Sequence, residues 1–362
     1  MNHTEVAIAG AGIIGLSVAL ELASAGYQVT VFERGRAMSE SSWAAAGMLA
    51  ASDPENPAAL SPLAELSRRL YPEFLARIAQ LSGETIPIRT TRAVQGMHGV
   101  PSGLAALDPA TLRTLVPDIC NDRLNFCLLE ELSLNPRDLA RAIPAAVRGA
   151  GVLLNEDTPV TDVQEGSGAV EFTTPAGRWT AGTFIHTTGA WSTELSGVPV
   201  SPRKGQMVEM HHPGPEKLEI VLRTPEIYLV PRGAGRIVVG ATVEDAGFDK
   251  EVDPHAIASL LETAACLWPP IRNGSIVETW AGLRPGSPDD LPFIGSIGDR
   301  SWIASGHFRN GILLAPATAR LLREVIERQP LSVNPAPFRC DRFGLSSVQL
   351  SRRGRTAVAV HE

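Results

Sequence analysis

The 362-residue sequence has only four cysteines, and no two of them form a CxxC pair or a plausible zinc spacing. Cys120, Cys127, Cys266 and Cys340 lie in apolar surroundings and are expected to be buried free thiols. The eight histidines are scattered, with His211-His212 in a loop rich in proline and glycine, so no metal site is indicated. Positive charge is not in excess either. A net charge of −7 argues against nucleic acid as a partner, because phosphate binding needs a clustered basic surface. No apolar run reaches the length of a membrane span, and no amphipathic membrane-docking helix is evident, which removes the membrane as a partner. The apolar opening MNHTEVAIAGAGIIGLSVAL lacks the basic stretch of a signal peptide, so it reads as mature structure in a cytoplasmic protein. Nothing repeats at a fixed period.

What is present is an ordinary globular composition, 44% hydrophobic and 20% charged, on a chain long enough for two intertwined domains. Residues 5–9, 13–25 and 28–33 read as strand, helix and strand, a compact βαβ unit. A long amphipathic helix is expected over 61–81, and β character over 86–97. Asn135-Pro136 predicts an N-cap and first turn for a helix through RDLARAIPAAVRGAG, with VLLN as the strand after it. Residues 170–185 suggest a hairpin turning at Pro175-Ala176-Gly177, ending in the strand TFIHTTGAW. From 202 to 241 the pattern is β, with a hairpin across Arg232-Gly233-Ala234-Gly235. A helix over 253–268, a strand into Trp280, a strand at 302–304 and a helix from 312 to 328 complete the reading. Residues 346–362 resemble a flexible polar tail. The fold class is therefore α/β. A Rossmann-like domain of discontinuous segments (1–85, 136–199 and 275–345) accompanies a substrate domain (86–135 and 200–274) built on an antiparallel sheet with flanking helices.

Gly10-Ala11-Gly12-Ile13-Ile14-Gly15 fits G-x-G-x-x-G between a strand and a helix. The first glycine permits the turn, the second lets a pyrophosphate approach, and the third lets helix pack on strand. The helix N-terminus then offers N–H groups and partial positive charge to the diphosphate. Glu33 ends the second strand, where a carboxylate can bind adenosine ribose hydroxyls and disfavours a 2′-phosphate. FAD and NAD share this fingerprint. The small residues of SESSWAAAGMLA suit a planar ring laid against them, or form a simple loop. Thr187-Thr188-Gly189-Ala190-Trp191 ends a strand with small residues where backbone can approach a cofactor.

Gly10–Gly15 with Glu33, SSWAAAGML, TTGAW, YLVP with GRIVVGAT, WAGLRPGSPDDLPFIG and GHFRNGILLAPATA follow one another from residue 5 to about residue 345. In that order they resemble the flavin-dependent D-amino-acid oxidase superfamily, and within it the glycine oxidases that feed thiazole formation in thiamine biosynthesis. The N-terminal fingerprint is common to many flavoproteins; WAGLRP and GHFRNGILLAPAT are specific. The resemblance implies FAD, a two-domain fold, a small amino acid or amine as substrate, O2 as electron acceptor with release of H2O2, and homo-oligomers. Thiazole synthase is the partner it suggests. Some superfamily members tether flavin through a cysteine near the WAGLRP segment. Residues 283–291 contain none, so FAD is expected to be non-covalent.

An amino-acid oxidase must hold a carboxylate, present the Cα–H to the flavin and stabilise charge on the reduced ring. By this resemblance Arg284 is the carboxylate clamp, since a guanidinium fork matches a carboxylate where lysine cannot. Tyr228, one of three tyrosines, lines the pocket near that carboxylate, or is a core tyrosine. Met48 lies beside the flavin, or fills the core. Ser41, Ser42, Ala45, Ala46 and Gly47 contact the flavin, together with Arg34, Thr188, Gly189, Trp191 and Gly282; Val160 meets the adenine. The helix after Phe308, Arg309, Asn310, Gly311 and Ile312 aims its positive end at the pyrimidine side of the ring, where negative charge gathers on reduction. Arg309 projects toward the pocket, while His307 is either a flavin-edge donor or a turn residue. The role of Glu226 at the pocket rim stays open. Glycine, sarcosine, D-alanine and D-proline all fit. An NAD-dependent dehydrogenase, a non-catalytic nucleotide module and an amine dehydrogenase with a quinone acceptor are the rival readings.

Overall fold

The computed structural model describes residues 2–120, 123–214 and 217–344, so the expected tail at 346–362 lies outside the described residues. Two large sheets organise the chain. The first has eight strands. Across it run Phe293–Ser296, Ser301–Ser305, Gly177–His186, Asn2–Ala9, Val29–Phe32 and Leu153–Asn155. From Ser301–Ser305 to Leu153–Asn155 every pairing is parallel. Parallel neighbours need crossovers, and the helices that supply them cover the sheet. All four residues of Val29–Phe32 are accordingly buried. Thr161–Glu165 and Val170–Thr174 continue from Gly177–His186 as an antiparallel extension.

Helices Ile13–Ser24, Ser61–Ser82, Pro136–Gly149 and Gly311–Glu327 share one core through residues such as Leu16, Leu20, Leu63, Ile143, Leu314 and Leu322. At Gly15 the first helix and strand approach so closely that an added Cβ would lie 2.0 Å from the Gly10 oxygen. The last helix contains Pro316, which has no N–H to give the Ile312 carbonyl one turn earlier. The Tyr71 hydroxyl donates to that carbonyl instead, at 2.6 Å, and Ser67 Oγ donates to the Leu313 oxygen at 2.5 Å. The long second helix thus fixes the first turn of the last one. Asn135 caps the helix Pro136–Gly149 by accepting from the Arg137 N–H, as its position before Pro136 predicts.

The second sheet has seven strands in the order Ser275–Gly286, Ser201–His211, Arg236–Gly240, Tyr228–Gly233, Val221–Arg223, Ala93–Met97 and Asn125–Leu129. It is not wholly antiparallel: Val221–Arg223 runs parallel to Ala93–Met97, because the long excursion between them returns the chain in the same direction. Residues 275–286, grouped by sequence with the nucleotide segments, pair from end to end with Ser201–His211 in this sheet. A small third sheet joins Met48–Leu49, Leu132–Leu134 and Ile88–Thr90.

Of the two readings of residues 39–50, the simple loop does not hold, since Ser41–Ala44 forms a helical turn and Met48–Leu49 pairs with Leu132–Leu134. The expected burial of all four cysteines is corrected. Cys120 and Cys266 are exposed, leaving only Cys127 and Cys340 buried. Cys266 sits on the outer side of the helix Pro254–Leu267, its thiol 3.9 Å from Glu262 one turn back. The helix Pro109–Leu115 was not anticipated, although Asp108-Pro109 is a cap followed by a first-turn proline, and Asp108 accepts from the Ala110 and Thr111 N–H groups.

Candidate active site

A cleft of about 510 Å³ opens between the two sheets. Distant segments of the chain meet in its walls: Gly12, Ile13 and Ile14 from the first turn, Ser41, Ser42, Ala45, Ala46, Gly47 and Met48 from the short helix and strand, and Gly189. Tyr228, Gly282 and Arg284 come from the second sheet, and His307, Phe308, Arg309, Asn310, Gly311 and Ile312 from the start of the last helix. Gly10, Ala11, Gly15, Glu33, Arg34, Val160, Thr188 and Trp191 stand outside this lining.

Beside the glycine turn, Glu33 holds the loop. One carboxylate oxygen accepts from the Ala11 N–H at 2.7 Å and the other from the Gly35 N–H at 3.0 Å. Each oxygen keeps lone-pair capacity for another donor. Ser42 Oγ accepts from the Ile13 N–H at 2.9 Å and leaves its own hydrogen free to turn toward an anion. Arg34 lies 3.4 Å over the Trp191 ring, and Phe248 stacks on the same indole at 5.3 Å. Val160 is partly buried and packs against the cluster that holds Val170 and Phe172 on the first sheet.

At the other end the last helix starts at Gly311 without a side-chain cap. Asn310, which could cap it, donates its amide to Asn56 Oδ1 at 3.1 Å. The first-turn N–H groups therefore keep their partial positive charge where the helix meets the cleft. His307 is buried, and its Nε2 lies 3.0 Å from Thr318 Oγ1. Burial holds its ring neutral, with a pKa pushed down to about 3.

Arg284 is half-buried, and its guanidinium donates to the Thr242 oxygen at 3.0 Å. Among the described residues no carboxylate pairs with it. The side chain crosses the neighbouring strand at Gly205, where an added Cβ would come within 2.2 Å of Nη1. Tyr228 interacts with Arg284 through its hydroxyl; burial raises the Tyr228 pKa and Arg284 pulls against that rise. Arg309 differs. Its side chain is 41% exposed and faces Glu55 at 3.4 Å and Asp53 at 3.9 Å.

Sequence reasoning missed Arg223, which also lines the cleft. It is buried, 3.1 Å from Glu131 and 3.7 Å from Asp53, and donates to Gln95 Oε1 and, at 3.9 Å, to Met48 Sδ. Burial raises the Glu131 carboxyl while Arg223 draws it down. Arg223 pairs with Tyr228 across their hairpin, so the register of the turn after Arg223 was the available clue.

Residues 5–325 match the family described as FAD dependent oxidoreductase (DAO). The glycine oxidase of Geobacillus kaustophilus is 31% identical, with 94% of this chain and 98% of that protein covered. The crystal structure of glycine oxidase from the same organism superposes with a TM-score of 0.89 at 30% identity, covering 94% of this chain and 99% of that one. The bifunctional protein ThiO/ThiG of Trichormus variabilis is 35% identical over 94% of this chain, which spans only 55% of that relative's length.

Proposed function

The chain belongs to the FAD dependent oxidoreductase (DAO) family, and from that premise we propose that it oxidises glycine and other small amines or D-amino acids with FAD as cofactor and O2 as acceptor. The residues fit FAD. An uncapped helix start and the glycine turn with Ser42 line the cleft, and the Glu33 carboxylate holds that turn from just outside it, the order that a ring, a diphosphate and a ribose require. When bound, FAD supplies the two-electron acceptor that takes hydride from the substrate Cα and is reoxidised by O2 to give H2O2. The imine product hydrolyses in water.

The single observation that carries this reading is Arg284, a guanidinium in the cleft whose partners are neutral and which, among the described residues, has no carboxylate of its own. It binds the substrate carboxylate as a fork, and the Tyr228 hydroxyl donates to the same group. Clamping that end fixes the Cα against the wall formed by Ala44–Met48, which is the alignment hydride transfer demands. Met48, Met207, Ile227 and Ala241 keep water from the reacting carbon. Arg223 is already neutralised by Glu131 and Asp53, so it steadies Met48 rather than competing for the substrate. The first-turn N–H groups at Gly311 and Ile312 stabilise negative charge at the edge of the ring.

The reading extends to a cytoplasmic homo-oligomer that supplies glyoxyl imine for thiamine thiazole synthesis, with thiazole synthase as partner. The bifunctional ThiO/ThiG relative supports the link to thiazole synthase. A peroxide assay in air with glycine, sarcosine, D-alanine, D-proline and L-isomers tests the activity. Peroxide with at least one of the four is expected. Turnover only with an artificial quinone would replace O2 as acceptor, and no turnover with any amine would reject the proposal.

A further inference from the structure

A second cleft, of about 520 Å³, adjoins the first. The two share the short helix Ser41–Ala44 and the strand Ser275–Gly286: Ala44 and Gly282 line the first cleft, Trp43 and Trp280 the second. Five arginines face this second space, Arg89, Arg137, Arg141, Arg232 and Arg236, against two acids, Asp138 and Glu209. Arg89 and Arg141 divide one carboxylate, Asp138, at 2.8 and 2.6 Å. Arg236 takes Glu209 at 2.6 Å. Arg137 takes Glu278 at 2.6 Å and lies over the Trp43 and Trp280 rings.

Arg232 is left over. It is only 8% exposed, and among the described residues it has no carboxylate partner. Its contacts are neutral, the Ala45 oxygen at 3.1 Å, the Leu134 oxygen at 3.4 Å and Asn135 Oδ1. Its Nε is buried with no hydrogen-bond partner. A buried guanidinium with an idle donor, on which Glu209 and Asp138 act only from a distance, is costly unless an anion completes it. The positive end of the helix Pro136–Gly149 adds to the same field, since Asn135, Arg137 and Asp138 line the cleft.

We propose that this cleft binds a small dianionic oxyanion, inorganic phosphate or the phosphate of a monoester, anchored by Arg232 and closed by Arg89, Arg141 and Arg236. Five cations divided among Asp138, Glu209 and Glu278 leave two positive charges, which a phosphate dianion balances and a monocarboxylate does not. Guanidinium forks match phosphate geometry. The flat walls of Trp43 and Trp280 suit the organic part of an ester. Arg232 also holds the Ala45 carbonyl, and Ala45 lines the first cleft, so the two spaces meet at one residue.

Titration calorimetry of the holoenzyme with inorganic phosphate, against chloride at matched ionic strength, tests this. One saturable site per chain is expected. Ala234→Asp is the main variant: Ala234 is exposed on the hairpin turn lining the cleft, at φ +52°, a conformation aspartate accepts. It removes no contact and adds a like charge, and phosphate binding should weaken about tenfold. Arg141→Gln, at a mostly exposed side chain, should weaken it as well. Both variants should retain flavin absorbance. Tighter binding of phenyl phosphate than of inorganic phosphate identifies an ester as occupant, and equal binding identifies the free ion. No saturable site, or affinity unchanged in both variants, would overturn the proposal.

Discussion

Gly205 lies beneath the Arg284 guanidinium, with room for hydrogen alone: a Cβ would stand 2.2 Å from Nη1, 2.4 Å from Cζ and 2.4 Å from Nη2. The strand carrying Gly205 is paired with the strand carrying Arg284 along its whole length, so neither backbone can retreat. Gly205→Ala should therefore displace Arg284 without touching the nucleotide channel. The expected outcome is a glycine kcat/KM lowered by about a hundredfold, since a small misplacement of a positioning group costs about that much. The FAD content should not change, and steady-state kinetics with the flavin absorbance of the same sample check both points.

Arg284 and Arg309 should separate by the size of their effects. Arg284 has no carboxylate partner among the described residues, and truncating one member of a desolvated charge pair costs about 2–5 kcal/mol. Arg309 is partly exposed and already faces Glu55 and Asp53, so Arg309→Ala should cost about 1 kcal/mol or less. Parallel measurement of kcat/KM for both variants checks the order.

Tyr228 interacts with Arg284, and burial holds its hydroxyl protonated to higher pH than an ordinary tyrosine. Tyr228→Phe should raise KM for glycine and lower kcat/KM by about 1.5–3 kcal/mol, the usual worth of a hydrogen bond to a charged group. Because the raised pKa keeps the phenol neutral, any loss in the wild-type kcat/KM profile from tyrosine ionisation should come at higher pH than for an ordinary tyrosine. A falling limb near pH 9 that vanishes in Tyr228→Phe would contradict this.

The starting βαβ unit was legible because its periodicity changes from strand to helix to strand around a glycine turn, and Asn135-Pro136 marked its helix for the same local reason. The place of Arg284 in the cleft wall was legible through the residues around it. Arg223 was not, because Glu131, Asp53 and Gln95 meet it only through sheet pairing and loop packing. The arginines of the second cleft were hidden likewise: Arg89, Arg137 and Arg232 come from different sheets and a helix. The exposed Cys120 and Cys266 show the opposite error, an apolar neighbourhood in sequence that does not enclose the side chain in space.

His186 and His307 are both buried neutral, each with its pKa pushed down to about 3. The unfolded chain protonates histidine near 6.5, so below that pH it binds more protons than the folded chain. Each ring should thus cost stability as pH falls from about 6.5 toward 3, by at most about 1.4 kcal/mol per pH unit. Calorimetric Tm of the holoenzyme between pH 7 and 4.5 should decline. His186→Phe, which keeps the ring against Phe184, should decline less steeply.

The central claim, that this cleft passes hydride from an amine clamped by Arg284, is tested most directly by anaerobic rapid mixing of the FAD-bound protein with glycine. The flavin absorbance near 450 nm, about the position of any oxidised flavin, should bleach in the wild type and return with peroxide when air is admitted. Arg284→Ala, still yellow, should bleach at least about a hundredfold more slowly at the same glycine concentration. Bleaching at the wild-type rate in Arg284→Ala, or none in the wild type with glycine, sarcosine, D-alanine or D-proline, would contradict the account.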